Sequence, residues 1–248
     1  MEVYAAQIDV MDQGIGRIME KVRQVGAERN TLVMFLADNG GCAEEIGSHW
    51  KGLHIPERTF AGRPVQLGNN PNIMPGPEET YQSYGIGWAN ASNTPFRLYK
   101  HWVHEGGIAT PFIAYWPGVI TEGGRRTNQV GHVIDVMPTC VELAKIRYPA
   151  SLGGYKLTPP AGRSLVPIFR GQTRQIGQLF WEHEGNRAVR SGKWKLVSKY
   201  PGPWELYDME TDRTEMNNLA EKFPVMVEGL SSAYENWAKQ ANVEQWRK

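Results

Sequence analysis

The chain has 248 residues, a formal net charge of +1, 41% hydrophobic and 21% charged residues. This is the composition of one large globular domain, or of a domain with a smaller companion, and it excludes disorder and coiled coil. The near-neutral charge gives no basis for a nucleic-acid or membrane-surface partner. Cys42 and Cys140 are too few for a disulfide framework or a cysteine-rich zinc motif.

No apolar stretch is long enough to span a bilayer, and the N-terminus reads as helix rather than signal peptide. Residues 3–25 place Val3, Ile8, Met11, Ile15, Ile18, Val22 and Val25 mostly three or four apart. That spacing predicts one face of an amphipathic helix, with Gly26 as its stop.

The stretch Thr31-Leu-Val-Met-Phe-Leu-Ala-Asp38-Asn39-Gly40-Gly41 follows. Its continuous apolar run predicts a strand buried on both faces, as in a parallel sheet covered by helices. In open α/β sheets, ligands collect beyond the carboxyl ends of such strands. Asp38 and Asn39 are therefore candidate ligands, and their hard oxygens suit calcium or magnesium better than zinc. The local pattern alone favours a plain polar loop.

From Cys42 to Ser92 the periodicity disappears, and Pro56, Pro64, Pro71, Pro75 and Pro77 predict a long irregular loop. Trp50, Tyr81, Tyr84 and Trp88 argue that it packs onto something. The nine tryptophans and ten tyrosines of the chain point to packing first and to an aromatic or carbohydrate-like binding surface second. Asn90-Ala91-Ser92 is formally a glycosylation acceptor, meaningful only in a eukaryotic secreted protein.

A second short strand is expected at 111–116, bounded by prolines, and its approach concentrates Lys100, His101, His104 and Glu105. A helix is expected over about 134–145, with Asp135 in its first turn. Beyond Tyr148, Pro159-Pro160 marks a linker. Strand-like runs then occupy 178–181, 187–190, 194–199 and 204–207, with Ser191-Gly192 as a hairpin signal. An amphipathic helix is expected at 225–241. This predicts an α/β core over residues 1–150, with the long loop 42–92, and an α+β subdomain over 151–248 built on a small antiparallel sheet plus helix.

Several segments together resemble the sulfatase family, and bacterial arylsulfatases in particular. They are Tyr4-Ala-Ala-Gln-Ile-Asp-Val-Met-Asp12-Gln-Gly-Ile-Gly16, Asn30 through Gly40, and Lys100 five residues before Glu105-Gly-Gly-Ile. Trp116-Pro-Gly118, His132-Val-Ile-Asp135-Val-Met-Pro-Thr139, Arg190-Ser-Gly-Lys-Trp-Lys-Leu-Val197 and Glu205-Leu-Tyr-Asp208 complete the series. Each is weak alone; their order and spacing over nearly the whole chain are specific.

The resemblance implies a partial alkaline-phosphatase-like fold and a sulfuric ester hydrolase function. It implies that Asp38 and Asn39 ligate a single divalent cation, calcium with magnesium as the alternative. Lys100 matches the lysine that contacts the sulfate oxygens; read locally, it is a solvated loop lysine. A metal and an ammonium together neutralise a sulfate ester and its developing charge. His101 and His104 are general-acid candidates that match no family histidine, and the favoured reading makes them packed or exposed loop residues. Glu105-Gly-Gly is expected to shape a turn, His132 and Asp135 to be structural, and His183 has no metal-site spacing.

Sulfatases of this kind cleave with a formylglycine made from Cys/Ser-x-Pro-x-Arg, and no such pattern occurs in this sequence. The N-terminal aspartates of the family's metal site are also absent. A calcium-type cation takes about six to eight oxygens, more than Asp38 and Asn39 supply. The expectation is a C-terminal part of a sulfatase, with an exposed sheet covered by homo-oligomerisation or by the missing N-terminal half. Two alternatives stay open: a non-catalytic truncated fragment or assembly module, and a promiscuous phosphate or carboxyl ester hydrolase. The compartment is open as well: cytoplasmic if Met1 is the true start, periplasmic for a full-length family member.

Overall fold

In the computed structural model, residues 1–47, 50 and 55–247 are described, so part of the loop expected over 42–92 lies outside the described residues. The elements in chain order are α1 (Glu2–Gln24), β1 (Val33–Leu36), β2 (Gln66–Leu67), β3 (Thr80–Tyr81), α2 (Gly85–Asn93), α3 (Glu105–Ile108) and β4 (Phe112–Tyr115). They continue with α4 (Val136–Leu143), β5 (Ser151–Leu152), β6 (Tyr155–Lys156), α5 (Val166–Phe169), β7 (Leu179–His183), β8 (Asn186–Ser191), β9 (Trp194–Ser198), β10 (Glu205–Asp208) and α6 (Pro224–Gln240). Two compact units emerge: Met1–Gly16 with Asn39–Thr110 and Leu179–Lys248, and Arg17–Asp38 with Pro111–Gln178.

The helix α1 ends where expected. Gly26 adopts φ +69°, and the Ala27 amide bonds back to the Val22 carbonyl at 3.0 Å, the left-handed glycine stop of a helix. None of its residues is buried, and Ile8, Val10, Met11 and Ile18 stay exposed. Val3, Ile15 and Val22 of the stripe are half-buried, and Tyr4 stacks on Tyr84 at 5.1 Å.

In the second unit the strand expectation is corrected. β1 pairs with β4 antiparallel, with Val33 opposite Tyr115 and Leu36 opposite Phe112, in a sheet of two strands. β1 is half-buried, with Phe35 exposed, and Phe112, Ile113 and Tyr115 of β4 are exposed too. A continuous apolar run cannot specify strand direction, because parallel and antiparallel strands share the same side-chain alternation. Asp135 anchors the rest of this unit. Its carboxylate accepts from the His132 and Arg163 amides and pairs with Arg174 at 2.8 Å, both side chains buried. His132 in turn accepts from the Ile134 amide, so His132 and Asp135 form a reciprocal cap at a helix start.

In the first unit, β10-β9-β8-β7 form an antiparallel sheet in that order. Alternation divides its faces. Val189, Leu196 and Leu206 pack on Leu230, Tyr234 and Ala238 of α6, with Phe180 stacked on Trp237 and Trp204 edge-on to Tyr234. These four aromatic side chains pack the sheet against α6. The opposite face carries Ala188, Val197 and Tyr207 against Val103. It also carries Lys195 and Glu205, whose register partners on the neighbouring strand are Tyr207 and Val197. Gly192, at φ +57°, makes the β8–β9 hairpin turn that Ser191-Gly192 signalled.

Candidate functional site

The segment after Asp38 is locked to the segment before β4 by glycines that have no room for a side chain. A Cβ on Gly40 would lie 1.8 Å from the Gly106 carbonyl oxygen, and one on Gly106 would lie 2.1 Å from that of Leu98. One on Gly107 would lie 1.9 Å from the Trp102 carbonyl oxygen. Two backbone bonds close the contact: Gly40 N–H to Gly107 O at 2.9 Å, and Lys100 N–H to Gly41 O at 3.0 Å. Asn93 supports it, with Oδ1 accepting from the Gly41 amide and Nδ2 donating to the Leu98 carbonyl. The glycines of Asn39-Gly40-Gly41 and Glu105-Gly106-Gly107 thus fix where Lys100 emerges.

Lys100 lines a cavity of about 240 Å³ with Ala43, Glu44, Tyr99, His101 and Trp102. Its ammonium stands 3.2 Å and 3.3 Å from the two Glu44 oxygens. Partial burial pushes the Glu44 carboxyl up, but bonds from Lys100 and the Cys42 thiol outweigh it and hold that pKa below the usual carboxylate range. Glu44 therefore presents both of its anionic oxygens to the Lys100 ammonium. The sequence reading did not single out Glu44, because nothing in a 56-residue separation announces the pairing.

The two histidines beside Lys100 have separate surroundings. His104 is fully buried, its Nε2 3.5 Å from Glu205 Oε2. The same oxygen accepts from Tyr207 Oη at 2.6 Å and from Arg97 at 3.2 Å. The His104 bond leads, and with Tyr207 and Arg97 it overcomes partial desolvation to bring the Glu205 pKa down to about 2. His101 is half-exposed, with φ +92°, and its Nδ1 faces Glu184 at 3.4 Å.

The depressed Glu205 pKa makes a testable statement about stability. A carboxyl with a folded pKa of about 2 against an ordinary 4.5 contributes roughly 3 kcal/mol at neutral pH, present above 4.5 and lost as pH falls toward 2. Glu205→Gln removes that dependence. Urea unfolding of both proteins at pH 7 and pH 3 is expected to show the gap between them shrinking at the lower pH.

Glu105 is buried and ion-paired. Its carboxylate meets Lys195 Nζ at 3.0 Å and Arg213 at 3.4 Å, while its backbone N–H donates to Glu215 at 2.8 Å. Burial pushes the Glu105 pKa up, but Lys195, Arg190 and Arg213 outweigh it, so the net shift is downward. Lys195, itself fully buried, also stands 2.8 Å from Glu215 Oε1, a contact angled for ionic attraction rather than for a hydrogen bond. The turn that fixes Lys100 is thereby pinned to the sheet.

Asp38 is exposed and Asn39 half-buried, consecutive at the end of β1, where the chain passes from one unit to the other. Their hard-oxygen donors suit a calcium-type cation and are too few to enclose one.

The Sulfatase family model matches residues 1–146, and one described as N-sulphoglucosamine sulphohydrolase, C-terminal, matches residues 96–236. The chain belongs to the sulfatase family. It is 32% identical over 243 residues to an uncharacterized sulfatase of Schizosaccharomyces pombe, covering 93% of this chain and 42% of that one. To the arylsulfatase of Klebsiella aerogenes it is 37% identical over 175 residues, covering 68% of this chain and 34% of the other. The solved structure of Ps i-CgsB superposes with a TM-score of 0.65 at 20% identity, over 95% of this chain and 42% of that one. Its solved neighbours include sulfatases, and the shared fold is the alkaline-phosphatase-like one. The chain spans about two fifths of the length of the first curated relative it matches. The partial alkaline-phosphatase-like architecture read from the sequence motifs is thus the family's own.

Proposed function

We propose that this sulfatase-family chain carries the cation- and sulfate-binding part of an arylsulfatase-like sulfuric ester hydrolase. The observation that carries the reading is the interlock of Gly40-Gly41 with Gly106-Gly107, which sets Lys100 directly against the loop that begins at Asn39. In this reading Asp38 and Asn39 offer oxygens to calcium, and Lys100 takes the sulfate oxygens in place of Glu44. A bound calcium would supply positive charge that draws electron density from the ester oxygens. Lys100 orients the anion, and Glu44 holds the ammonium extended until the anion arrives. His101 borders the same cavity, while His104 serves the framework through Glu205. The exposed apolar residues of α1, β1 and β4 are surfaces for a second copy or for further sulfatase polypeptide.

Because no Cys/Ser-x-Pro-x-Arg occurs in this sequence, the chain alone is expected to bind sulfate esters without turning them over. Hydrolysis of an aryl sulfate with added calcium is the check: turnover above background that survives both Asp38→Ala and Lys100→Ala contradicts the assigned site. Glu44→Gln removes the competing carboxylate. An exposed pair of this kind is worth at most about 1 kcal/mol, so sulfate should bind the variant about two- to fivefold more tightly by calorimetry. Weaker binding would make Glu44 part of the anion site instead.

A further inference from the structure

A second cluster in the first unit is built from His101, His183 and Glu184, whose nitrogen and oxygen ligand atoms all lie within 4.8 Å of one another. His183 is 82 positions from His101 in the chain, so the local spacing around His183 carries no sign of the grouping. We propose that these three side chains form a binding site for a borderline-soft divalent cation of the zinc type, separate from the Asp38–Asn39 oxygens and independent of their assignment.

Three observations support it. First, His101 Nδ1 and Glu184 Oε2 stand 3.4 Å apart. This is long for a charge-assisted hydrogen bond, about 2.7–2.9 Å. It matches the edge, about 3.4 Å, of a tetrahedron around zinc with ligands at about 2.0–2.1 Å. Second, the site rests on backbone that side chains rarely adopt: His101 has φ +92° and Glu184 φ +51°, the latter followed by Gly185 at φ +80° in the β7–β8 turn. Such turns favour Asn, Asp or Gly at the position Glu184 holds. Strain retained in two ligand-bearing residues at one place is characteristic of binding sites.

Third, the two loops are held together from beneath. Asn186 is buried, and its Oδ1 accepts from the Tyr200 amide at 3.0 Å. Its Nδ2 donates to the His183 carbonyl at 2.9 Å and lies 3.4 Å from His101 Nε2. The imidazoles of His101 and His183 meet edge to face at 5.1 Å. His183 and Glu184 are exposed, so a bound cation would keep a coordination position open to water. Two imidazoles and one carboxylate with an open position favour zinc over calcium.

The test titrates zinc by calorimetry, and cobalt by its visible absorption, into protein stripped with a chelator. The expected result is one cation per chain, a tetrahedral cobalt spectrum without thiolate bands, and no competition from calcium. His183→Ala, Glu184→Gln and His101→Asn should each weaken zinc at least about tenfold, since even outer-shell partners cost about 10–100-fold. Asparagine tolerates the left-handed backbone at 101, and circular dichroism confirms that each variant is folded. Asp38→Ala and Cys42→Ser should leave zinc binding unchanged. Wild type binding no better than His183→Ala overturns the site, as does loss of binding in either Asp38→Ala or Cys42→Ser.

Discussion

Lys195→Met is expected to destabilise the chain by about 3–5 kcal/mol, read as a lower urea midpoint at neutral pH. The size follows from what the substitution leaves behind. Glu105 and Glu215 are 3% and 1% exposed, and Lys195 is the buried cation standing between them. Without it, two carboxylates share a dry site. Arg213 reaches only one of them, at 3.4 Å, from a side chain that is itself half in solvent. Methionine fills much the same volume, so the loss measures charge rather than packing. The companion variant Lys195→Met/Glu105→Gln/Glu215→Gln removes all three charges and should recover much of the stability, because neutral groups cost far less to bury than unpaired ions. A single-variant loss below about 1 kcal/mol would mean that water reaches the cluster.

Gly40→Ala is expected to cost about 3 kcal/mol, at the upper end of ordinary overpacking. The added methyl would lie 1.8 Å from the Gly106 carbonyl oxygen and 3.1 Å from the Gly107 Cα. Both are backbone atoms, so no side-chain rotation relieves the overlap. The segment must separate, breaking the Gly40 N–H to Gly107 O bond and displacing Asn39 from Lys100's loop. Gly229→Ala is the control. It lies within α6 with open space around its Cβ position, and alanine there should stabilise by about 0.5–1 kcal/mol. If both substitutions prove neutral, the interlock of the two glycine segments is looser than described.

Elements with a strong period were legible in the sequence. The 3.6-residue spacing of α1 and α6 and the alternation of β7 to β10 report which side of each element is apolar, and the structure follows them closely. The alternation even places Glu205 and Tyr207 on one face, where they meet His104 and Arg97. What the local pattern could not carry was partnership. Residues 31–37 read as the strand of a parallel sheet, yet β1 runs antiparallel to β4. Pairing direction is set by chain connections far from the strand itself. The same limit hid Glu44 beside Lys100, Lys195 beside Glu105, and His183 beside His101, each joined by a fold-level contact across 56 to 90 residues. Asp38 and Asn39 stand out as candidates at the end of an apolar run, and the roles proposed for them and for Lys100 come from the family resemblance, which supplies long-range information.

Calorimetric titration of inorganic sulfate, with and without calcium, tests the proposed cation- and sulfate-binding role most directly. A cation and an anion binding in contact must each tighten the other by the same factor. The expected result is that calcium strengthens sulfate binding several-fold, that Asp38→Ala abolishes the calcium effect, and that Lys100→Ala weakens sulfate whether calcium is present or not. Sulfate binding that ignores calcium, or that survives both substitutions unchanged, would contradict it.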